Sequence, residues 1–348
     1  MKKLRVAVIG CGSIAKNRHL VEYENNPVVE ITAVCDIVEE RANKTAEKYN
    51  ASAYINYLQL LEVEKIDAVS ICTPNYLHAP MSIAALNAGC HVLCEKPMAT
   101  TAEEAEAMIE AARLNNKKLM IAHNQRFVPS HAKARALVEA GEIGKIFSFR
   151  TTFGHGGPED WSADGADSWF FNKEQAFIGA MGDLGVHKAD LLRFLLGEEF
   201  MEVAGFIETS AKENADVDDN AVCILKTNSG VIGTLASSWA YNSQEDNSTI
   251  LFGEKATIRL EDDPQHALIV QYTNGEIVKY ELGQIQSNAE GGQTNSFVID
   301  HFIESIILDK EPLINGEEGK KSLEVILAVL DSHETKQIKK VQKAVLEA

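Results

Sequence analysis

From Leu4 to Asn124 the chain alternates unbroken apolar runs with amphipathic ones. LRVAVIG, VVEITAVCD, IDAVSICTP, HVLCEK and KLMIAHN are near-continuous apolar runs, and SAYI is a shorter segment between them. A strand with one wet face would alternate instead, so these runs predict strands buried on both faces. Between them, SIAKNRHLVEYEN, EERANKTAEKY, APMSIAALNAG and TAEEAEAMIEAARLNN carry helical spacing. Thr101 is placed to cap the last of these, with acids in its first turn. Strands alternating with helices predict a parallel sheet covered on both sides.

The pattern then changes. VPSHAKARALVEAGEIG predicts a helix with a glycine stop, and IFSFRTTF a strand of period two. A loop rich in Gly, Asp and Trp follows at residues 154–171, GHGGPEDWSADGADSWFF. GDLGVHKADLLRFLLG, residues 182–197, predicts a largely buried helix stopped by Gly197. Next come MEVAGFIET, NAVCILKT, GVIGTLASSW, STILFG, ATIRLE, ALIVQY and EIVKYEL, joined by turn signals such as TNSG, FGEKA and TNGE. These predict a mostly antiparallel sheet. The tail predicts two more helices, SFVIDHFIESIILD and EEGKKSLEVILAVLDSHETKQ. No repeat or low-complexity linker separates the halves. The expectation is two closely docked domains, 1–122 and 123–348. The last two helices, about 295–335, are expected to pack back towards the first.

The length of 348 residues suits two domains rather than one core. With 45% hydrophobic and 24% charged residues, the composition is that of a soluble globular protein. No apolar run is long enough to span a membrane. MKKLRVAVIGCG turns into a glycine loop before any export signal could develop, so a cytoplasmic location is expected. A net charge of −18 argues against nucleic-acid or anionic-membrane partners. The six cysteines form no CxxC and no ligand spacing, so they read as small buried residues and no metal is expected.

Gly10-Cys11-Gly12-Ser13-Ile14-Ala15 fits G-x-G-x-x-G/A, following an apolar strand and opening a helix. Gly10 permits a tight turn, and Gly12 lets a pyrophosphate approach the backbone. Ser13 and Ile14 lie at the helix entry, and Ala15 keeps the helix close to the sheet. Asp36 ends the second strand, 21 positions after Ala15. Its carboxylate suits the two ribose hydroxyls and repels a 2′-phosphate, so NAD is expected over NADP. Ile37, not an arginine, follows it. Arg41, a turn later, leaves the preference open.

Asp183 and His187 lie four apart, so a helix places them on one face. Two further stretches, ICTPNYLH at 71–78 and CEKPMATTAEEAEAM at 94–108, join them. With the glycine loop and GDLGVH, Glu95-Lys96-Pro97 resembles the glucose–fructose oxidoreductase and inositol dehydrogenase family, the Gfo/Idh/MocA group. The likeness runs over essentially the whole chain. It implies an α/β protein: an N-terminal Rossmann domain with a doubly wound parallel sheet, then a C-terminal α+β domain with a large, mostly antiparallel open sheet. It implies a nicotinamide cofactor and a homodimer or homotetramer formed through the open sheet. It also implies oxidation or reduction of a hydroxyl or keto carbon on a sugar, sugar derivative or cyclitol.

Carried over by residue, Lys96, Asp183 and His187 make up the catalytic set. A secondary alcohol must lose its proton as hydride leaves, and an imidazole is suited to take it. Asp183 is expected to hold that imidazole in one tautomer or to bind a substrate hydroxyl. Lys96 is expected to stabilise a developing alkoxide. Whether His187 or Lys96 is the formal base stays open. Glu95 is expected to hold the nicotinamide end or orient Lys96, and Thr73, Asn75 and His78 resemble the family's cofactor-contacting loop. His78 also reads as a helix cap. Asn124 is expected at the cofactor, and Arg126 at the substrate or in an ion pair between domains. His155, Trp161 and Trp169 in the long loop are expected to bind sugar, with Tyr241 facing the same site. Gly179-Ala180-Met181-Gly182 departs from the family's glycine run and opens the possibility of a different pocket wall. A redox-neutral glycosidase on this scaffold and a cofactor-sensing regulator are the alternatives.

Overall fold

A computed structural model of the chain describes residues 3–283 and 295–341. The extreme ends of the two expected domains, residues 1 and 348, lie outside the described residues. The apolar runs form β1 (Leu4–Ile9), β2 (Val29–Cys35), β3 (Ser52–Tyr54), β4 (Ala68–Ile71), β5 (His91–Cys94) and β6 (Leu119–Ile121). All pair in parallel, in the order β3-β2-β1-β4-β5-β6. Five helices flank them: α1 (Leu20–Asn25), entered through a π-helical turn at Ala15–His19, α2 (Glu39–Tyr49), α3 (Tyr57–Val63), α4 (His78–Asn87) and α5 (Ala102–Leu114). Thr101 caps α5, its hydroxyl accepting from the Glu104 amide at 3.1 Å. The apolar pattern does not announce α3, and the structure gives the reason. Leu60 is buried but Leu58 and Val63 face solvent, so its apolar stripe is too narrow to stand out.

Strand order reverses between β1 and β4, which opens a crevice at their carboxyl ends. Gly10 turns there with φ +91°, and a Cβ on it would come within 2.3 Å of the Cys72 carbonyl oxygen. Only glycine fits both constraints.

The second sheet has nine strands: β7 (Ile146–Gly154), β8 (Phe200–Glu208), β9 (Asn220–Thr227), β10 (Ile232–Ser238), β11 (Thr249–Gly253), β12 (Ala256–Leu260), β13 (Leu268–Tyr272), β14 (Ile277–Tyr280) and the two-residue β15 (Lys339–Lys340). Their order is β14-β13-β12-β11-β7-β10-β9-β8-β15, antiparallel except where β10 meets β7. β15 was not expected from the sequence. One face packs under α6 (Pro129–Glu139), α8 (Val186–Leu196) and α10 (Gly316–Thr335), with a core that includes Phe149, Leu192, Leu225, Ile258 and Val329. The short α7 (Lys173–Ala176) precedes α8. The other face leaves Phe206, Val222, Ile224 and Ile232 exposed on β8, β9 and β10.

The two C-terminal helices divide their work. From α9 (Val298–Ile307), Val298, Ile299 and Phe302 fill a core with Val6, Val8 and Tyr23 of the first half. Helix α10 serves both halves: Leu323 joins the β4–β5 core, while Ile326 and Val329 join the second sheet's core.

Buried charges reinforce this docking. Arg126 donates to both Asp190 oxygens, at 2.8 and 2.7 Å, and to Glu318 of α10 at 2.9 Å. Arg193 binds Glu318 and the Ser322 hydroxyl, which in turn donates to Asp190. Arg126 is therefore an ion-pair bridge between elements and does not line the cavity described below. Of the two places expected for it the substrate is not the one found, and the ion pair joins elements of the second half, not the two domains.

Replacing Arg126 by Ala removes the main partner of a buried carboxylate, and about 3 kcal/mol of unfolding free energy should be lost at pH 7. Burial acts to raise the Asp190 pKa, but His123, Arg126 and Arg193 outweigh it and hold the group at about 2. Since that lies below the unfolded value of about 4, the stabilisation is present above pH ~4 and fades as pH falls towards 2. Urea midpoints of the two proteins should therefore separate at pH 7 and converge in acid. Equal midpoints at pH 7 would contradict the bridge.

Candidate active site

A cavity of about 410 Å³ lies at the crevice, roofed by the long loop between β7 and α7. At its centre is the glycine turn. Gly10, Gly12, Ser13 and Ile14 line it, and a Cβ at Gly12 would meet nothing within 4 Å. That open wall of bare backbone is the shape a pyrophosphate needs, so the residues present fit a dinucleotide. Ala15 is fully buried beneath it, outside the cavity lining.

Asp36 marks one end. Its carboxylate accepts from the Cys11 and Val38 amides, both at 2.9 Å, which fixes it at the mouth of β2. Ile37, Val38 and Arg41 surround it on the lining. The loop after β4 forms a side wall with Thr73, Asn75 and His78. Asn75 donates to the Ala176 carbonyl at 2.9 Å, tying that wall to the second half. The His78 ring sits between the Pro97 and Thr73 carbonyls, at 2.7 and 2.9 Å. Both partners are acceptors, so a neutral ring donates to one at a time, and burial lowers its pKa. Its side chain makes no helix cap; it staples the loop after β4 to the loop after β5.

The other end gathers the chemistry. Lys96 leaves the end of β5 beside a cis Lys96–Pro97 bond. Its ammonium donates to the Asp183 Oδ1 at 2.9 Å and to the Asp183 carbonyl at 3.1 Å. The other carboxylate oxygen accepts from the indole N–H of Trp239, at 3.2 Å. His187 lines the cavity next to them. Its Nδ1 is enclosed without a hydrogen-bond partner, and its ring packs edge-on to His123, centroids 6.2 Å apart. Asp183 is thus bonded to Lys96 and Trp239, not to the imidazole, which corrects the expectation that it sets the tautomer. Burial, then the Lys96 charge, push the His187 pKa well below its usual value, so the ring is neutral at pH 7.

The segment that presents Asp183 is less regular than the sequence suggests. A π-helical turn over Met181–Gly185 leads into α8. Asp218 receives the Gly179 and Met181 amides at 2.7 and 2.8 Å and anchors its start. A Cβ at Gly179 would lie 1.8 Å from the Asp218 carbonyl oxygen. Ala180 and Met181 are fully buried and do not line the cavity, so the departure from the glycine run leaves the cavity wall as it is.

Glu95 lines the cavity next to Lys96. It accepts from His19 at 2.9 Å, and His19 meets Ser70 at 3.0 Å. Burial acts to raise the Glu95 pKa, but the bond to His19 and its charge overcome this and bring it to about 2. Asn124 lines the cavity. In the loop, His155, Trp161 and Trp169 line it as well. Trp169 stacks on Phe170 with centroids 3.8 Å apart, and Phe170 meets Trp161 edge-on at 5.0 Å. Tyr241 does not line the cavity; its ring lies against Gly154, where a Cβ would clash with it. Gln125, Phe153 and Asn247 also line the cavity and Trp239 stands behind Asp183, four residues not expected from the sequence. The SSW ending of β10 was the signal available for Trp239; Asn247 sits in a polar turn that offers none.

Comparison with known proteins agrees with this architecture. Residues 4–123 match the family model described as "Oxidoreductase family, NAD-binding Rossmann fold", and residues 131–259 match the GFO/IDH/MocA C-terminal domain. Levoglucosan dehydrogenase of Pseudarthrobacter phenanthrenivorans is 29% identical over 84% of this chain and 80% of its own length. D-glucoside 3-dehydrogenase of Escherichia coli is 29% identical over 95% of this chain and 96% of its own. A solved structure of levoglucosan dehydrogenase in complex with NADH superposes with a TM-score of 0.86 at 26% identity, covering 98% of this chain and all of that one. Among the described residues no helix is long and apolar enough to cross a membrane. With both of its halves matched and the glycine turn opening onto the Lys96–Asp183 pair, the chain belongs to the Gfo/Idh/MocA family of NAD(P)-dependent oxidoreductases.

Proposed function

We propose that the enzyme oxidises a secondary hydroxyl of a sugar or cyclitol, or reduces the matching ketone, with NAD as the preferred cofactor. The observation that carries this reading is the meeting of Lys96, Asp183 and His187 at one end of a dinucleotide-shaped cavity whose loop wall is aromatic. Bound NAD supplies the hydride acceptor. The neutral His187 imidazole takes the hydroxyl proton as the C–H bond breaks. Lys96, ion-paired with Asp183 at 2.9 Å, lowers the cost of negative charge on the substrate oxygen. Asp183 holds Lys96 in place, with Trp239 fixing the carboxylate from behind. Trp161 and Trp169 offer flat apolar surface for sugar C–H faces, and His155 offers a partner for a hydroxyl. The substrates named for the two relatives, levoglucosan and a D-glucoside, are of this class. The Asp36 carboxylate, with Ile37 rather than an arginine after it, supports NAD over NADP.

The first test is formation of reduced nicotinamide with a panel of free sugars, anhydrosugars, glycosides, sugar phosphates and inositols, with NAD and NADP in parallel. Turnover on one neutral class with NAD is expected; no turnover anywhere while NAD binds would contradict the reading. On the substrate found, His187→Ala should lower kcat by about a hundredfold or more and leave NAD affinity in place. Because its pKa is depressed, the wild-type rate should hold through pH 6.5 and fall only below it. Near-normal turnover in the variant would assign His187 a structural role.

The exposed Phe206, Val222, Ile224 and Ile232 form an apolar strip across the neighbouring strands β8, β9 and β10, which supports assembly through the open sheet. Light scattering coupled to size exclusion should give a dimer or a larger closed oligomer. Phe206→Glu should shift it towards monomer. A monomeric wild type would contradict the assembly.

A further inference from the structure

The loop that roofs the cavity reaches the end marked by Asp36, where the adenine ribose of a bound dinucleotide would lie. Two contacts seat it on the first half. The Ser13 hydroxyl donates to the Trp161 carbonyl at 2.8 Å. The Arg41 guanidinium donates to the Asp164 Oδ1 at 2.6 Å. Arg41 also stands 4.0 Å from the Asp36 Oδ2. So one cation on α2 lies between two carboxylates, one from β2's end and one from the loop of the other half.

We propose that Asp164 is a specificity-determining residue for the cofactor, acting through Arg41. The inference rests on the reading that NAD is preferred, and deepens it. Arg41 is the residue that kept that preference open: a guanidinium one turn beyond the ribose acid is well placed for a 2′-phosphate. Asp36 alone does not hold it, because the guanidinium stands 4.0 Å from the nearer Asp36 oxygen and makes its direct hydrogen bond to Asp164 instead. Asp164 supplies a second negative charge and takes up the Nη2 donor of the guanidinium. A 2′-phosphate entering there meets two carboxylates around one cation, and competes with Asp164 for the charge of Arg41. The ribose hydroxyls of NAD face no such competition. Asp164 is thus a positioning residue: it withholds Arg41 from the cofactor instead of touching the reacting atoms.

The magnitude is modest and fits the geometry. Arg41 is 20% exposed and Asp164 42%, so the pair is screened by solvent and is no deep electrostatic lock. A tenfold change in discrimination, about 1.4 kcal/mol, is the scale expected of releasing one such guanidinium to a phosphate.

The test is calorimetric binding of NAD and NADP to the whole protein, without substrate, for wild type, Asp164→Asn and Asp164→Asn combined with Arg41→Ala. The readout is the ratio of the two Kd values, which cancels any general effect of the loop on dinucleotide binding. Asp164→Asn should move the ratio about tenfold towards NADP, and adding Arg41→Ala should take the gain away. Raised salt should shrink the gain, as charge pairing requires. An unchanged ratio in Asp164→Asn, with wild type still preferring NAD, would overturn the role of Asp164 alone. A gain that survives the loss of Arg41 would overturn the route through Arg41. A wild type that binds NADP as tightly as NAD would overturn the preference itself, and this proposal with it.

Discussion

The bond between Lys96 and Asp183 is the contact on which the site depends. The two residues are 87 positions apart in the chain, one at the end of a buried parallel strand and one on a π-helical turn beside the second sheet. Neither half contains the site. A lysine with no acid beside it would be an expensive cation in a partly dry cleft, and the acid without the lysine an expensive anion. Their pairing offsets both costs and holds the ammonium where substrate charge develops. Trp239 completes the arrangement, because its indole N–H occupies the oxygen that Lys96 leaves free.

Everything around that bond serves to keep the halves in register. Asn75 reaches across to Ala176, Arg126 ties α8 to α10 within the second half, and α10 places apolar side chains in both cores. These links are buried, and they brace the segments that present the catalytic groups. At the other end of the cavity the contacts are sparser and wetter. There the roof is seated by a serine hydroxyl and an exposed ion pair, as suits a segment that must admit and release a dinucleotide.

Much of this was legible in the sequence because its signals are local. Five of the six parallel strands are continuous apolar runs, and the Gly10-to-Ala15 turn follows the first of them. Period-two segments such as NAVCILKT correspond to β9 residue for residue. Gly197 stops α8 with φ +67°, as its position implies. What stayed hidden depends on partners distant in sequence. The spacing of Asp183 and His187 suggested a bonded pair, yet Lys96 competes for the carboxylate and wins, since a cation offers more than a neutral ring. Arg126 looked equally suited to substrate or ion pair until Asp190 and Glu318 were seen around it. Tyr241 lies close to the site in sequence terms, but its ring is turned onto Gly154. Asn247 and Trp239 reach the site only through strand order, which no local pattern encodes.

The most direct measurement of the central claim is a double-mutant cycle on the single-turnover rate of hydride transfer, with Lys96→Met, Asp183→Asn and both together. If the two residues act as one unit across the junction, each single change removes most of the rate, and the pair loses little more than the worse of them. Losses that multiply would mean that Lys96 and Asp183 contribute independently, and would contradict the account.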